Sequence, residues 1–284
     1  MPELPEVETV RRMLETSVIG RTIARARLSR SNLRNTPHAR GLAAALRGRT
    51  IVALRRHGKY LLIDLTGDHS IVSHLGMSGR WLFFPAEGGK DLEHVHVRLE
   101  FEDGSRLWFR DPRRFGMFRL VRADRLGEDP SLTLLGPDPI AHPPTGPSLA
   151  QIARGRRTSV KDFLLDQRRI AGIGNIYASE ILHRSKVHPA RPAGRVTPDE
   201  WTLIARETRA VLAEAIARMG TTFSAYRTLW NEPGSYGDQL LVYDRTDEPC
   251  RTCSTPVRRI VQGQRSTFYC AHCQPIRRKT SART

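Results

Sequence analysis

Val95-His-Val-Arg-Leu-Glu-Phe-Glu-Asp-Gly-Ser-Arg-Leu-Trp-Phe109 decides the fold of the first half of the chain. Apolar and polar residues alternate from Val95 to Phe101, Glu102 to Ser105 supplies turn residues, and the alternation resumes at Arg106. A period of two on either side of a polar turn makes a half-buried β-hairpin. Similar runs at Thr50 to Leu54, Tyr60 to Leu65 and Ser70 to Leu75 extend the hairpin to a β-sandwich or barrel. One helix, opened by Pro5, precedes it. Its Val7, Val10, Met13 and Leu14 fall at helical spacing, and Glu6 and Glu8 occupy the first turn, where the helix dipole favours anions.

The proline-rich stretch from Gly136 to Pro147 denies the backbone the donors that a helix or central strand needs, and reads as an interdomain linker. Beyond it the period becomes 3.6. Thr197-Pro-Asp-Glu200 is a capping box with proline at the first helical position, opening a helix through Met219 that stops at Gly220. Leu149 to Ala153, Val160 to Gln167 and Ile176 to His183 read as shorter helices. The fold class is α+β, with domains expected at 1–135 and 148–248, the linker at 136–147 and a cysteine-bearing segment at 249–284.

The 284 residues contain 46 Lys and Arg against 29 Asp and Glu, a net +17, with 39% hydrophobic residues. That apolar content excludes a disordered basic tail, and the charge favours a polyanion or an acidic surface as partner. Met1 to Val10 has neither the cationic nor the apolar region of a secretory signal, and no run approaches a membrane span, so a cytoplasmic, nucleoid-associated protein is expected. Lysine occurs only at 59, 90, 161, 186 and 279, so each one stands out against an arginine background.

All four cysteines lie in two pairs, Cys250 with Cys253 and Cys270 with Cys273, separated by sixteen residues. Two such knuckles suit one tetrahedral Zn²⁺, and four protein ligands leave no position for water or substrate, so the metal is expected to be structural. From Pro249 to Thr284 there are eight Arg or Lys and no acid. Arg265 and its neighbours read either as a solvated basic face or as contacts to a phosphate backbone. Gly172-Ile-Gly-Asn175 opens a helix with free backbone N–H groups and suits an anion, but equally a plain bend.

Pro2-Glu-Leu-Pro-Glu-Val-Glu-Thr9 would expose a secondary amine on removal of Met1. An N-terminal amine titrates about two units below lysine, so it is the better nucleophile near neutrality. Attack on deoxyribose C1′ would expel a base and leave a cationic iminium that acidifies the C2′ proton. Glu3 is the acid placed to protonate the sugar ring oxygen. The competing reading is an ordinary polar start and helix cap.

Pro2 to Thr9, His57-Gly-Lys-Tyr60, His74-Leu-Gly-Met-Ser-Gly79, Asp111-Pro-Arg-Arg-Phe-Gly116, Gly172 to Glu180 and the terminal cysteines together resemble the bacterial formamidopyrimidine-DNA glycosylase family, in order along the whole chain. The resemblance implies a helix plus β-sandwich domain, then a helix-two-turn-helix module with a zinc finger, and double-stranded damaged DNA in the cleft between them. It implies excision of oxidised purines such as 8-oxoguanine, followed by β,δ-elimination. The iminium chemistry needs no organic cofactor, and a monomer is the default expectation, since no feature of the sequence argues for assembly. On the resemblance, Pro2 is the nucleophile, Glu3 the general acid and Glu6 its support, with Lys59 and Arg265 beside the damaged nucleotide's phosphates. His74, Asn175 and Arg265 match phosphate contacts, and Lys161, singled out by the scarcity of lysine rather than by the resemblance, is expected among the DNA contacts. Met77, Arg113 and Phe115 match the triad that fills the void left by a flipped base. Residues 221–238, with Tyr226, correspond to the loop over the extruded base. Two other readings stand beside it: a relative preferring oxidised pyrimidines, as endonuclease VIII does, and a catalytically silent zinc-ribbon protein that binds bent DNA.

Overall fold

Pro5 lies in the first turn of helix α1 (Leu4–Val18), where its missing N–H costs nothing. The Val7, Val10, Leu14 and Val18 stripe of this helix is buried against the strands that follow. In chain order these are β1 (Ile23–Leu28), helix α2 (Ala39–Leu46), β2 (Ile51–His57), β3 (Tyr60–Leu65), β4 (His69–His74), β5 (Arg80–Phe84), β6 (Val95–Phe101), β7 (Arg106–Arg110) and β8 (Met117–Arg122). The computed structural model describes residues 1–29, 33–34, 39–86, 92–222 and 226–276. Lys90 and Lys279 lie outside them.

The strands form two antiparallel sheets, ordered β1-β6-β7-β5 and β2-β3-β4-β8. In the β6–β7 hairpin Val97 pairs with Phe109 and Leu99 with Leu107, the inward-facing positions of the alternation. Apolar side chains of both sheets share one core. Trp81 and Phe109 of the first sheet meet Phe118 of the second, with Trp81 ring centroids 5.0 and 6.0 Å from those of Phe109 and Phe118. The architecture is therefore a β-sandwich. Its β1, β5, β8 and α2 were not among the strands and helices anticipated from sequence.

The chain divides into two compact units, Met1–Leu135 with Glu214–Asp238, and Gly136–Ala213 with Gln239–Thr284. The second unit contains α3 (Gly146–Ala153), α4 (Val160–Leu165), α5 (Asn175–Arg184) and most of α6 (Pro198–Ala217), followed by the hairpin β9 (Val257–Gln262) and β10 (Arg265–Cys270). The capping box forms as expected, Thr197 N–H donating to Glu200 Oε2 at 2.9 Å and Glu200 N–H to Thr197 Oγ1 at 3.3 Å. Gly220 follows with φ +78°, the left-handed stop that glycine tolerates.

Residues 136–147, expected as a linker, group with the second unit: Gly136 N–H donates to Gln167 O at 2.8 Å and Ala171 N–H to Pro137 O at 3.1 Å. Proline removes donors, yet the carbonyls and the remaining amides still find partners within the unit. The long helix does not belong wholly to one unit, because Glu214–Asp238 group with the first, where Tyr226 and Leu229 join the sandwich core.

Candidate functional site

Pro2, Glu3 and Glu6 are all buried at the amino end of α1, with Glu3 3% and Glu6 1% exposed. Glu3 is the cap of the helix, and Glu6, three residues on, accepts its N–H at 2.7 Å. The other Glu6 oxygen accepts the Thr221 N–H at 2.8 Å, from 215 residues away. A Cβ on Gly220 would lie 2.6 Å from Glu6 Oε1, so the approach of this loop depends on glycine. The terminus and the loop after α6 are therefore tied through one carboxylate. Met1 is present and half of it is exposed, so the Pro2 nitrogen is an amide until that residue is lost.

Lys59 sits at the tight β2–β3 turn, following Gly58 at φ +58°, and is only 7% exposed. A snorkelling surface lysine would be far more open. The turn is braced from α1: Arg56 Nε donates to Glu8 at 2.9 Å and its Nη1 to Gly58 O at 3.1 Å. Burial alone would raise the Glu8 carboxyl, but hydrogen bonds from Arg11, Arg12 and Arg56 outweigh it and hold it below the usual carboxylate range. His74, at the end of β4, pairs with Tyr60 across the sheet. Its Nδ1 accepts the Gly76 N–H at 2.9 Å, which leaves Nε2 to donate. Burial, with help from the charges of Lys59 and Arg34, pushes its pKa down to about 4, so the ring is a neutral donor near pH 7.

Met77 and Phe115 are 39% and 45% exposed, against the expectation that such side chains enter a core. The Arg113 guanidinium lies 4.9 Å from the Phe115 ring centroid. Gly76 is left-handed at φ +61°, and a Cβ there would meet the Phe115 carbonyl carbon at 2.5 Å, so the two turns touch backbone to backbone. Asp111, fully buried, fastens them. It accepts the Ser78 hydroxyl beside Met77, the Gly116 N–H at 2.7 Å and the Arg113 N–H at 3.3 Å. Sequence reading quoted Asp111 and Ser78 within motifs but gave them no role.

In the second unit Asn175 begins α5 and donates from Nδ2 to Ser266 O at 2.9 Å. The Lys161 ammonium donates to the same carbonyl at 3.0 Å and to Thr267 Oγ1 at 2.6 Å. Arg265, next along, is exposed. Lys161 corrects the sequence reading, which placed it on the DNA surface. It has no exposed area and is spent on hydrogen bonds to the finger hairpin. Tyr226 is corrected likewise. It is 6% exposed, its hydroxyl donates to Met219 O at 3.1 Å, and burial beside Glu6 pushes the phenol up.

The cysteine knuckles converge. All four Sγ atoms lie within 4.8 Å of one another, with Cys250 to Cys273 at 3.9 Å and Cys253 to both Cys270 and Cys273 at 3.5 Å. A tetrahedron with arms of about 2.3 Å has edges of about 3.8 Å, so the set fits one Zn²⁺. Backbone N–H groups point at the sulfurs, as thiolates require: Thr252 at Cys250, 3.4 Å, and Cys273 at Cys270, 3.5 Å. One structural zinc completes this finger. Among the described residues no helix is long and apolar enough to cross a membrane.

Comparison with known proteins places these features together. Residues 1–118 match the formamidopyrimidine-DNA glycosylase N-terminal domain, 135–227 its H2TH domain, and 247–276 the zinc finger found in FPG and IleRS. The formamidopyrimidine-DNA glycosylase of Symbiobacterium thermophilum is 43% identical over 276 residues, 97% of this chain and 90% of that protein. The crystal structure of the MutM (Fpg) protein of Thermus thermophilus is 38% identical with a TM-score of 0.85, covering 96% of this chain and 98% of that one. The Lactococcus lactis Fpg in complex with DNA containing an abasic site is 29% identical with a TM-score of 0.88, covering 96% and 99%. With the capped terminus, the exposed turns and the four-cysteine finger matched along nearly the whole length, the chain belongs to the formamidopyrimidine-DNA glycosylase family, the DNA-repair glycosylases.

Proposed function

We propose that this chain is a bifunctional glycosylase and abasic-site lyase that removes oxidised purines, 8-oxoguanine and ring-opened purines, from duplex DNA. The observation that carries the reading is the buried cluster at the start of α1. Glu3 is almost fully buried there, held by a cap whose Glu6 partner is itself fixed by two backbone N–H groups. A merely solvated polar terminus would not be buried in this way.

Loss of Met1 frees the Pro2 secondary amine. The amine attacks C1′ and the base departs, taking the proton that the nitrogen gives up. Glu3 then delivers a proton to the sugar ring oxygen as the C1′–O4′ bond breaks, which opens the sugar and leaves an iminium between C1′ and the proline nitrogen. That nitrogen, having no further proton, cannot shed its positive charge as the imine of a primary amine can. That iminium draws electrons from C2′, whose proton is lost as the 3′ phosphate leaves. A second elimination releases the 5′ phosphate. Glu6, holding the Glu3 backbone, keeps the acid in register with the amine. Lys59, from its braced turn, balances phosphate charge beside the reacting sugar, and His74 donates a neutral hydrogen bond to a neighbouring phosphate. Met77 and Phe115, exposed on rigidly fastened turns, fill the vacated stack, and Arg113 bonds the orphaned base. In the second unit Asn175 and Arg265 contact the backbone, with Lys161 setting the hairpin that presents Arg265. Zinc, with every ligand position taken by cysteine, holds the finger and takes no chemical step.

Single-turnover excision of 8-oxoguanine and of thymine glycol by wild type and Glu3→Gln tests the reading. It expects faster purine release and a large loss of base excision in the variant. Equal rates for wild type and variant would reject it, and faster thymine glycol release would assign the chain to pyrimidine lesions.

A further inference from the structure

Helix α5 grips the finger at both of its ends. At the first, Asn175 bonds Ser266 O. At the other, His183 in the last turn lies with Nε2 3.5 Å from Cys250 Sγ. Both side chains are enclosed, His183 3% and Cys250 2% exposed, so water does not compete for the contact. A zinc-bound cysteine is a thiolate, which accepts hydrogen bonds and has no proton to give. The proton in this contact must therefore come from the imidazole. His183 Nδ1 has no hydrogen-bond partner among the described residues, so nothing else selects the tautomer. Cys250 thus faces two N–H donors, Thr252 from its own knuckle and His183 from the helix.

We infer that His183 is an outer-sphere zinc residue, whose Nε2–H bonds the Cys250 thiolate and so joins the metal centre to the helix that carries Asn175. The bond offsets part of the charge that four thiolates place around one dication. It also fixes the approach of Cys250 to the metal. Beyond Cys250 the finger is held to its unit by Gln274, which accepts Cys270 N–H at 3.0 Å and donates to Val187 O at 2.9 Å. Both of these involve backbone partners and would survive a change at 183. The alternative for His183 is plain ring packing, which phenylalanine would serve equally well.

The test uses full-length, zinc-loaded protein with His183→Phe, which keeps a ring, and His183→Gln, which keeps an N–H donor. Zinc affinity is measured by competition with a chromophoric chelator, and the sulfur-to-cobalt charge-transfer band is recorded after cobalt(II) replacement. Loss of an outer-sphere partner costs roughly 10-fold or more in metal affinity, so His183→Phe is expected to weaken zinc binding by that factor and move the band to lower energy. His183→Gln is expected to restore both. Wild-type affinity and band position in His183→Phe would overturn the inference. Equal losses in the two variants would also overturn it, assigning the residue to packing.

Discussion

Asp111→Ala is the substitution whose effect the structure specifies most fully. The carboxylate is buried with no exposed area, and removing it strips the acceptor from the Ser78 hydroxyl and from the Gly116 N–H. Each buried donor left without a partner costs about 1–3 kcal/mol, so the pair gives about 2–6 kcal/mol, a large part of a domain's stability. Asp111→Asn keeps one acceptor oxygen and is expected to lose about 1–2 kcal/mol. Ser78→Ala leaves the carboxylate with its two backbone donors and should cost about 1 kcal/mol. The Ser78–Asp111 bond itself appears as a coupling energy, because the double variant loses less than the sum. Urea unfolding followed through Trp81 and Trp108, both buried in the first unit, reads these values. The two turns carry Met77, Arg113 and Phe115, so Asp111→Ala should also weaken binding to lesion duplex. The salt dependence should not change, since no phosphate contact is removed. A variant within about 0.5 kcal/mol of wild type, the range of a surface substitution, would refute the idea that Asp111 fastens the turns.

Stripping the metal with a strong chelator should unfold the finger and lower duplex affinity, because zinc binding and folding are coupled. Circular dichroism and affinity of the metal-free protein would check it, and unchanged binding would contradict it. His74 makes a pH prediction. Its folded pKa, about 4, lies below the unfolded value of about 6.5, so within that window the unfolded chain binds more protons. Stability of the first unit should therefore fall as pH drops from about 6.5 toward 4, and His74→Gln should flatten that slope. Since the ring is neutral near pH 7, the same variant should leave the salt slope of DNA binding unchanged, whereas Arg265→Ala should reduce it by about 0.9.

Local pattern made part of this molecule legible. The β6–β7 hairpin, the capped helix α6 and the cysteine knuckles each depend on residues close in sequence, where period, caps and ligand spacing act directly. β1 was hidden because an edge strand reading Ile-Ala-Arg-Ala-Arg-Leu buries little, and its alternation runs mostly through two small alanines, a weak apolar signal. β5, Arg-Trp-Leu-Phe-Phe, is a continuous apolar run that spacing alone cannot assign. The helix α2 is only eight residues long. At the site, residue types pointed to Pro2, Glu3 and Lys59, but not to what holds them. Glu6 reaches Thr221 across 215 residues, Glu180 caps the N–H groups of Leu241 to Tyr243, and Ser78 meets Asp111 from another turn. Such links exist only once the chain is folded. Lysine scarcity singled out Lys161, yet scarcity carries no information on burial, and the ammonium proved to bond the finger backbone.

The central claim is that the nitrogen of Pro2, freed from Met1, forms the bond to sugar carbon. Borohydride reduction on a lesion duplex, followed by digestion and mass spectrometry of the cross-linked peptide, locates that bond. The account predicts a DNA remnant on a peptide beginning at Pro2, and no adduct when Met1 is retained. An adduct on Lys59 or any other lysine, or trapping that survives a blocked terminus, would contradict it.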